Sequence, residues 1–388
     1  MKLYISIACL CATLTASAQQ IIPLSYRQYM EKVAEGNLEY AAERLNVNVS
    51  EAEVTAAKVF NDPNLAVSYY NNENNNLQMG EGVEIELSKT FSFGKRGAGI
   101  ALARSESELT KALLADYFRN LRAEATVSYL EALKQYELYK VKENAYETIR
   151  QLAESDSVRY RLGKIMEIDA TQSRLEAGIL HNELLQADAE LQNAFSNLNL
   201  LTGTLAHDTL FQPEAVLRIS PREFVMADLL SNAVENRADL VAALKNKEVA
   251  SRALKVARRD RNTDVDLSIA VSRNARVHNE EAPAPPFTGV TAGVAIPLKF
   301  SNFNKGTVRA ARFREQQAET QYQQALLQVQ TEVMQAYRSY QSFSKQVEHY
   351  ENGMLSQARE VIDGKIYSYN RGEVSLLEVL DAQRTYDD

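Results

Sequence analysis

The chain has 388 residues, a formal net charge of −8 at pH 7, two cysteines and no tryptophan. The acidic balance argues against a general nucleic-acid-binding protein, which needs a basic surface, so no nucleic-acid partner is expected. Only 15 glycines and 8 prolines are present. Because these residues interrupt helices, their scarcity permits long continuous helices.

The first predicted element is a secretory signal peptide over residues 1–18. Lys2 provides the basic start, an apolar run follows, and small residues up to Ala18 form a cleavage site. The run is too short to span a membrane, and no later stretch reaches about 18 apolar residues, so no transmembrane helix is expected. We therefore expect export, followed either by a soluble state in the periplasm or by insertion into the outer membrane as β-structure. Lipidation at Cys9 or Cys11 is the alternative to simple cleavage near Ala18.

Two similar halves follow. The segment YRLGKIMEID (160–169) aligns with YNRGEVSLLE (369–378) at an offset of 209 residues, and FSFGKRG (91–97) aligns with FSNFNKG (300–306) at the same offset. A repeated order of this kind indicates two copies of one structural unit. We predict repeat 1 over 19–203, a linker over 204–221 and repeat 2 over 222–388.

The two predicted repeats are unequal in length. Asp388 aligns with Ile179 at the offset of 209, whereas repeat 1 extends to about Gly203. We therefore expect that the return helix of repeat 2 is truncated at its C-terminal end and that the natural chain continues beyond Asp388.

Each repeat is predicted to begin with a helix, over about 24–60 and 222–260. Two strands, a long helix, a turn and a return helix come next. The long helix from Gly97 to about Ser157 would reach about 90 Å at the usual rise per residue. A polar helix of that length needs neighbours along its whole extent, as in a coiled helical bundle. The strands are predicted at about 64–71, 82–93, 264–273 and 288–300.

The strands alternate between apolar and polar residues, so each has one apolar face. One explanation is a sheet half-buried against helices. The other is an outer-membrane barrel whose apolar side chains contact lipid. Four strands cannot close a barrel, and open strand edges are not tolerated in lipid, so several chains would have to contribute; three chains give 12 strands and room for a channel. The lipid-facing side chains would be Val83, Ile85, Leu87, Val265, Leu267, Ile269, Val294 and Ile296.

Together these features resemble the TolC-like outer-membrane efflux protein family. The resemblance covers essentially all of the mature chain and rests on the tandem repeat, two strands per repeat, the Y-x-x-G turn followed by an acid, and LLEVLDAQR (376–384). It implies a mainly α fold with a small β part: a homotrimer whose 12-strand β-barrel in the outer membrane continues into an α-helical barrel across the periplasm. The implied partners are a periplasmic adaptor protein, an inner-membrane pump of the RND type and outer-membrane lipid.

The function that this resemblance implies is a passive duct, opened when adaptor and pump dock, for export of small toxic compounds or metal ions. The segment ELSKTFSFGKRG (86–97) is also similar to the corresponding region of members that serve heavy-metal exporters, although one of the two family glycines is missing. An exported soluble coiled-coil scaffold or adaptor is the alternative. No enzyme, metal site or cofactor is expected, because the four histidines are scattered and no phosphate-binding or nucleophile motif is present.

The two Y-x-x-G turns are the candidate site. Gly163 and Gly372 should supply the positive φ that ends a helix and reverses the chain. The resemblance places these turns at the periplasmic tip of the tunnel, where an adaptor docks. The docking residues would be Leu162, Gly163, Ile165, Arg371, Gly372 and Val374.

The resemblance also assigns gate residues. Tyr369 matches the family's gate-latching tyrosine, and Glu378 and Asp381 match two acidic positions that ring the narrow tip. The family's latch arginine falls at Val374 and is absent, so the closed state must be held differently. For Glu378 a second explanation stands beside the gate ring, because Ser375-x-x-Glu378 is a capping box and this acid would then only satisfy backbone donors.

Overall fold

A computed structural model describes residues 20–73, 78–205, 209–215, 222–298 and 303–388. The predicted signal peptide, parts of the predicted linker and the end of the fourth predicted strand therefore lie outside the described residues. In chain order the elements are β1 (Gln20–Leu24), α1 (Tyr26–Gly36), α2 (Leu38–Ala56), β2 (Asn64–Asn71), β3 (Glu81–Phe91), α3 (Lys95–Arg161), α4 (Glu167–Leu201), β4 (Thr209–Pro213), α5 (Met226–Asn236), α6 (Ala238–Arg259), β5 (Val265–Asn274), β6 (Phe287–Ala295), α7 (Lys305–His349), a π-helical stretch (Tyr350–Met354), α8 (Leu355–Arg371) and α9 (Leu376–Asp387).

The chain divides into two compact units. One unit comprises Met1–Ala41, Phe118–Glu223 and Ala336–Asp388, and it contains both turns of the candidate site. The other comprises Ala42–Tyr117 and Phe224–Gln335, and it contains the four-stranded sheet. In the described ranges, no helix is both long and apolar enough to cross a membrane.

The four predicted strands correspond to β2, β3, β5 and β6, which form one antiparallel sheet in the order β2-β3-β5-β6. Ile85 lies opposite Val67 on one side and Val271 on the other, and Leu87 lies between Leu65 and Ile269. Residues directly opposite each other share a face, so the apolar side chains form one continuous surface over the sheet.

This apolar face is uncovered. Val83, Ile85, Leu87, Leu267 and Ile269 are all exposed, as is Val294 on β6, whereas Val265 at the start of β5 is half-buried. Helices of the same chain do not cover the face in the described part of the molecule, which contradicts the explanation of a sheet half-buried against a helical layer. One sequence prediction needs correction: β6 ends at Ala295, so Ile296 lies just beyond the strand and not within it.

Two strands were not predicted. β1 pairs in parallel with β4, with Ile22 opposite Phe211, so the described residues contain six strands and not four. The predicted linker therefore includes a strand that joins it to the N-terminal segment. Asn199 of α4 fixes β4 in place, because its side chain accepts a hydrogen bond from the Phe211 amide at 3.1 Å and donates one to the Thr209 carbonyl.

The predicted first helix of each half is also interrupted. The helix predicted over 24–60 is divided at Asn37, whose side chain accepts a hydrogen bond from the Tyr40 amide at 2.8 Å and thereby caps α2. The helix predicted over 222–260 is divided at Arg237, between α5 and α6. By contrast, α3 runs for 67 residues without interruption, as the absence of glycine and proline after Gly99 predicts.

Candidate functional site

Two turns with the same backbone geometry reverse the long helices. Gly163 ends α3 with φ of 70°, and Gly372 ends α8 with φ of 78°, so both glycines have the predicted left-handed conformation. After each glycine the next amide bonds back to a carbonyl five residues earlier, Lys164 to Arg159 at 2.9 Å and Glu373 to Ser368 at 3.0 Å. This is the Schellman pattern, which satisfies carbonyls at a helix end. No neighbouring atom lies within 4 Å of a Cβ at Gly163, so φ alone requires glycine there.

The predicted docking residues lie on or beside these turns. Leu162 is 68% exposed, Gly163, Arg371 and Gly372 are exposed, and Ile165 and Val374 are half-buried. Ile165, Gly372 and Val374 line a groove of about 490 Å³ between the two turns. The structure therefore brings three of the six predicted docking residues together in one concave surface.

Two residues that line this groove, Arg159 and Tyr369, bind a buried carboxylate. Asp156 of α3 is fully buried, and its Oδ2 accepts hydrogen bonds from the Tyr369 hydroxyl at 2.6 Å and from the Ser173 hydroxyl at 2.5 Å. Arg159 Nη1 donates to Oδ1 of the same carboxylate at 3.3 Å. Tyr369 belongs to α8 and Ser173 to α4, so one side chain joins three helices.

The chemistry of this cluster keeps Tyr369 in its protonated, donating form. Burial, followed by the hydrogen bond to Asp156, raises the pKa of the Tyr369 hydroxyl to about 12. The Arg159 guanidinium lies 5.7 Å from the centre of the Tyr369 ring and supplies positive charge next to the carboxylate. A buried carboxylate is costly unless it is paired and hydrogen-bonded, and Asp156 meets both conditions.

Apolar packing surrounds the cluster. Ile149, Leu152, Ile362, Leu376 and Val379 are buried together with Tyr369 in one core that contains residues of α3, α4, α8 and α9. The hydrogen bonds to Asp156 are therefore shielded from water, which strengthens them.

Sequence reasoning found Tyr369 but missed Asp156, Arg159 and Ser173. A signal was present, because Asp156 continues the helical spacing of Ile149, Leu152 and Ala153, which marks a buried face of α3. A carboxylate on such a face predicts a paired partner, although the partner itself cannot be read from the spacing.

Glu378 is held by its own chain. Its Oε2 forms an ion pair with Lys365 Nζ at 2.7 Å, and its Oε1 accepts a hydrogen bond from the Ser375 amide at 3.2 Å. These contacts, with Lys365 contributing most, lower the pKa of Glu378. The capping explanation is thus present in the structure. The start of α4 has the same arrangement, since Asp169 accepts a hydrogen bond from the Met166 amide at 3.3 Å.

Asp381 differs from Glu378. It is exposed on α9, and no lysine or arginine among the described residues forms an ion pair with it. The two predicted gate acids therefore differ in electrostatic state: the charge of Glu378 is compensated, and that of Asp381 is open to solvent. Within the described ranges, no group of three or more His, Cys, Asp or Glu side chains could hold a metal ion.

Comparison with known proteins shows what the chain resembles. Residues 229–388 match the family model described as "Outer membrane efflux protein". The chain is 26% identical over 368 residues to the cobalt-zinc-cadmium resistance protein CzcC of Cupriavidus metallidurans, which covers 94% of this chain and 84% of CzcC. Among solved structures, CusC aligns with a TM-score of 0.74 at 19% identity over 93% of this chain and 86% of CusC. The Campylobacter jejuni CmeC outer membrane channel aligns with a TM-score of 0.75 at 14% identity over 93% of this chain and 80% of CmeC.

Residues 229–388 therefore resemble an outer membrane efflux protein, the chain is similar to CzcC over nearly its whole length, and it has the fold of the CusC and CmeC structures. These similarities support an efflux channel of the outer membrane over the alternative of an exported soluble scaffold.

Proposed function

We propose that three copies of this chain form one passive efflux duct, each copy contributing two tandem repeats. The observation that carries this proposal is the four-stranded sheet, which has an uncovered apolar face and two open edges, β2 and β6. Its strands have 8, 11, 10 and 9 residues. Strands that cross an outer membrane have about 9–11 residues. Neither an open edge nor its unpaired backbone groups are stable in lipid, so β2 of one copy pairs with β6 of the next and closes a 12-strand barrel.

The tip of the helical region is the proposed gate. The Asp156 cluster ties α8, which carries the second turn, to α3 and α4 and so holds the closed state. This arrangement substitutes for the latch arginine that Val374 replaces. Docking of a periplasmic adaptor in the groove between the turns would move α8 and α9 and break the cluster. An inner-membrane pump, of the RND type, drives transport, and the duct itself supplies no energy.

The cargo class follows from similarity and from charge. CzcC is described as a cobalt-zinc-cadmium resistance protein, and its similarity extends over nearly all of this chain. The open carboxylate of Asp381, present three times in the trimer, would attract divalent cations at the tip. We therefore propose divalent metal ions as cargo, with the adaptor and pump setting selectivity.

Edge pairing can be tested by disulfide trapping. The only native cysteines, Cys9 and Cys11, lie in the predicted signal peptide. S68C in β2 is combined in turn with T291C or A295C in β6, all three on the polar face of the sheet. Oxidation should give covalent trimers that conduct ions in planar bilayers, and each single-cysteine variant is the control. A protein that stays monomeric in detergent and fails to conduct contradicts the duct.

A further inference from the structure

A groove of about 520 Å³ lies where the apolar face of the sheet ends. It is bordered by the segment after α2, by the last residues of β3 and by the first turn of α3. Lys89 and Phe91 continue the apolar face beyond Leu87, because Lys89 lies opposite Leu267 and Phe91 opposite Val265. The groove therefore opens on the same face of the sheet as the apolar side chains.

Two cations of this groove have no acidic partner in the part of the chain that the structure describes. Among the described residues no carboxylate forms an ion pair with Lys89 or Arg96, whereas the adjacent Lys95 is paired with Asp264 at 2.6 Å. The Arg96 guanidinium donates to the Lys58 carbonyl and stacks on the Phe60 ring at 3.7 Å from its centre. These contacts fix the position of the charge without neutralising it.

The same groove exposes a large apolar surface. Phe60, Phe91 and Phe93 are 65%, 42% and 59% exposed. A free anion would leave these rings in water, and a hydrocarbon alone would leave two cations without a counter-charge. An anionic head group joined to an acyl chain satisfies both parts of the surface.

We propose that this groove binds an anionic phospholipid of the periplasmic leaflet, with its phosphate between Lys89 and Arg96 and its acyl chain on the three phenylalanines. The proposal rests on the proposed function, which places the apolar face in the outer membrane. The groove then lies at the depth of the lipid head groups, because Lys89 is the first charged residue beyond the apolar stretch of β3.

The test uses full-length protein purified in neutral detergent and titrated with phosphatidylglycerol, with lipid binding counted by native mass spectrometry. Each lysine or arginine near an anionic lipid surface changes affinity about fivefold. K89Q should therefore weaken binding about fivefold, and K89Q/R96Q about 30-fold. K89R/R96K keeps both charges and should retain most of the affinity. R27Q/K134Q removes two exposed charges elsewhere and is the matched control.

Three outcomes would overturn the inference. The first is equal binding of phosphatidylcholine with the same acyl chains, and the second is competition by inorganic phosphate, which would indicate a simple anion site. The third is equal loss in K89Q/R96Q and R27Q/K134Q. If the wild type conducts ions in bilayers but shows any of these results, only the lipid site is wrong. If the wild type neither trimerises nor conducts, the duct proposal is wrong as well.

Discussion

The Tyr369 hydroxyl donates a hydrogen bond to the buried Asp156 carboxylate at 2.6 Å, across 213 residues of sequence. The same carboxylate oxygen accepts from Ser173, so any movement that carries α8 away from α3 and α4 leaves a buried negative charge with fewer donors. These hydrogen bonds to Asp156 lie within one chain. Each copy in a trimer would therefore carry its own restraint, and three would have to break for a symmetric opening of the tip.

Removing the Tyr369 hydroxyl should favour the open state. In Y369F a buried carboxylate loses one donor, and a hydrogen bond to a charged group contributes about 1.5–3 kcal/mol. The ratio of open to closed channels should rise by about tenfold or more, measured as open probability in single-channel recordings. Tyr160 occupies the matching position of the first turn and is 41% exposed, so Y160F is the control. Similar open probabilities for the two variants would refute the idea that the Tyr369–Asp156 hydrogen bond stabilises the closed state.

Alkaline pH should lower the stability of the protein, because Tyr369 loses its hydroxyl proton. The pKa of Tyr369 is raised to about 12 in the folded protein from its ordinary value of 10.0. Between these pH values the unfolded state releases a proton that the folded state keeps, so stability is fully present below pH 10 and falls towards pH 12. Denaturation measured over this range should show a steeper decline for wild type than for Y369F. Parallel curves would mean that the Tyr369 hydroxyl is not shielded.

The two proposed gate acids, Glu378 and Asp381, should contribute unequally to block by divalent cations. Glu378 is already neutralised by Lys365 at 2.7 Å, whereas Asp381 is exposed and has no ion pair among the described residues. D381A should therefore reduce Ca²⁺ block in single-channel recordings more than E378A does. E373A is a suitable control, because Glu373 is paired with Arg371 at 2.7 Å in the turn itself. An acidic ring at the tip is excluded if block is unchanged in the D381A/E378A double variant.

Short-range sequence patterns predict those elements of the fold that are determined by neighbouring residues in the chain. Alternation places β3 and β5, and the glycines at 163 and 372 predict both turns, since each signal is contained within a few residues. The break at Asn37 was also readable, because asparagine at a helix start is a capping residue. β1 and β4 carry only five residues each and pair across nearly 190 positions, so neither periodicity nor turn chemistry marks them.

The Asp156 cluster could not be predicted from the sequence either, because it also depends on long-range contacts. Tyr369, Ser173 and Asp156 belong to three helices, and nothing in the spacing of one helix specifies which residue of another it meets. The repeat itself is misleading here, because at the offset of 209 Asp156 aligns with Lys365 and Ser173 with Ala382. The two halves thus keep the same turns and capping acids but fill the equivalent positions with different interactions: a buried carboxylate in one and an exposed Lys365–Glu378 pair in the other.

The packing of β4 against α4 should contribute to the stability of the folded protein through Asn199. Asn199 is fully buried, and its side chain satisfies the Phe211 amide and the Thr209 carbonyl. N199A leaves the buried Phe211 amide and the half-buried Thr209 carbonyl without these partners, at a cost of about 1–3 kcal/mol for the buried amide. Asn197 is exposed on the same helix, so N197A makes the same substitution without that loss. Thermal unfolding followed by circular dichroism should show a clearly lower midpoint for N199A than for N197A.

Hydrogen exchange in N199A should rise in β1 as well as in β4, because the two strands are hydrogen-bonded to each other. Faster exchange confined to β4 would mean that β1 is held independently of Asn199.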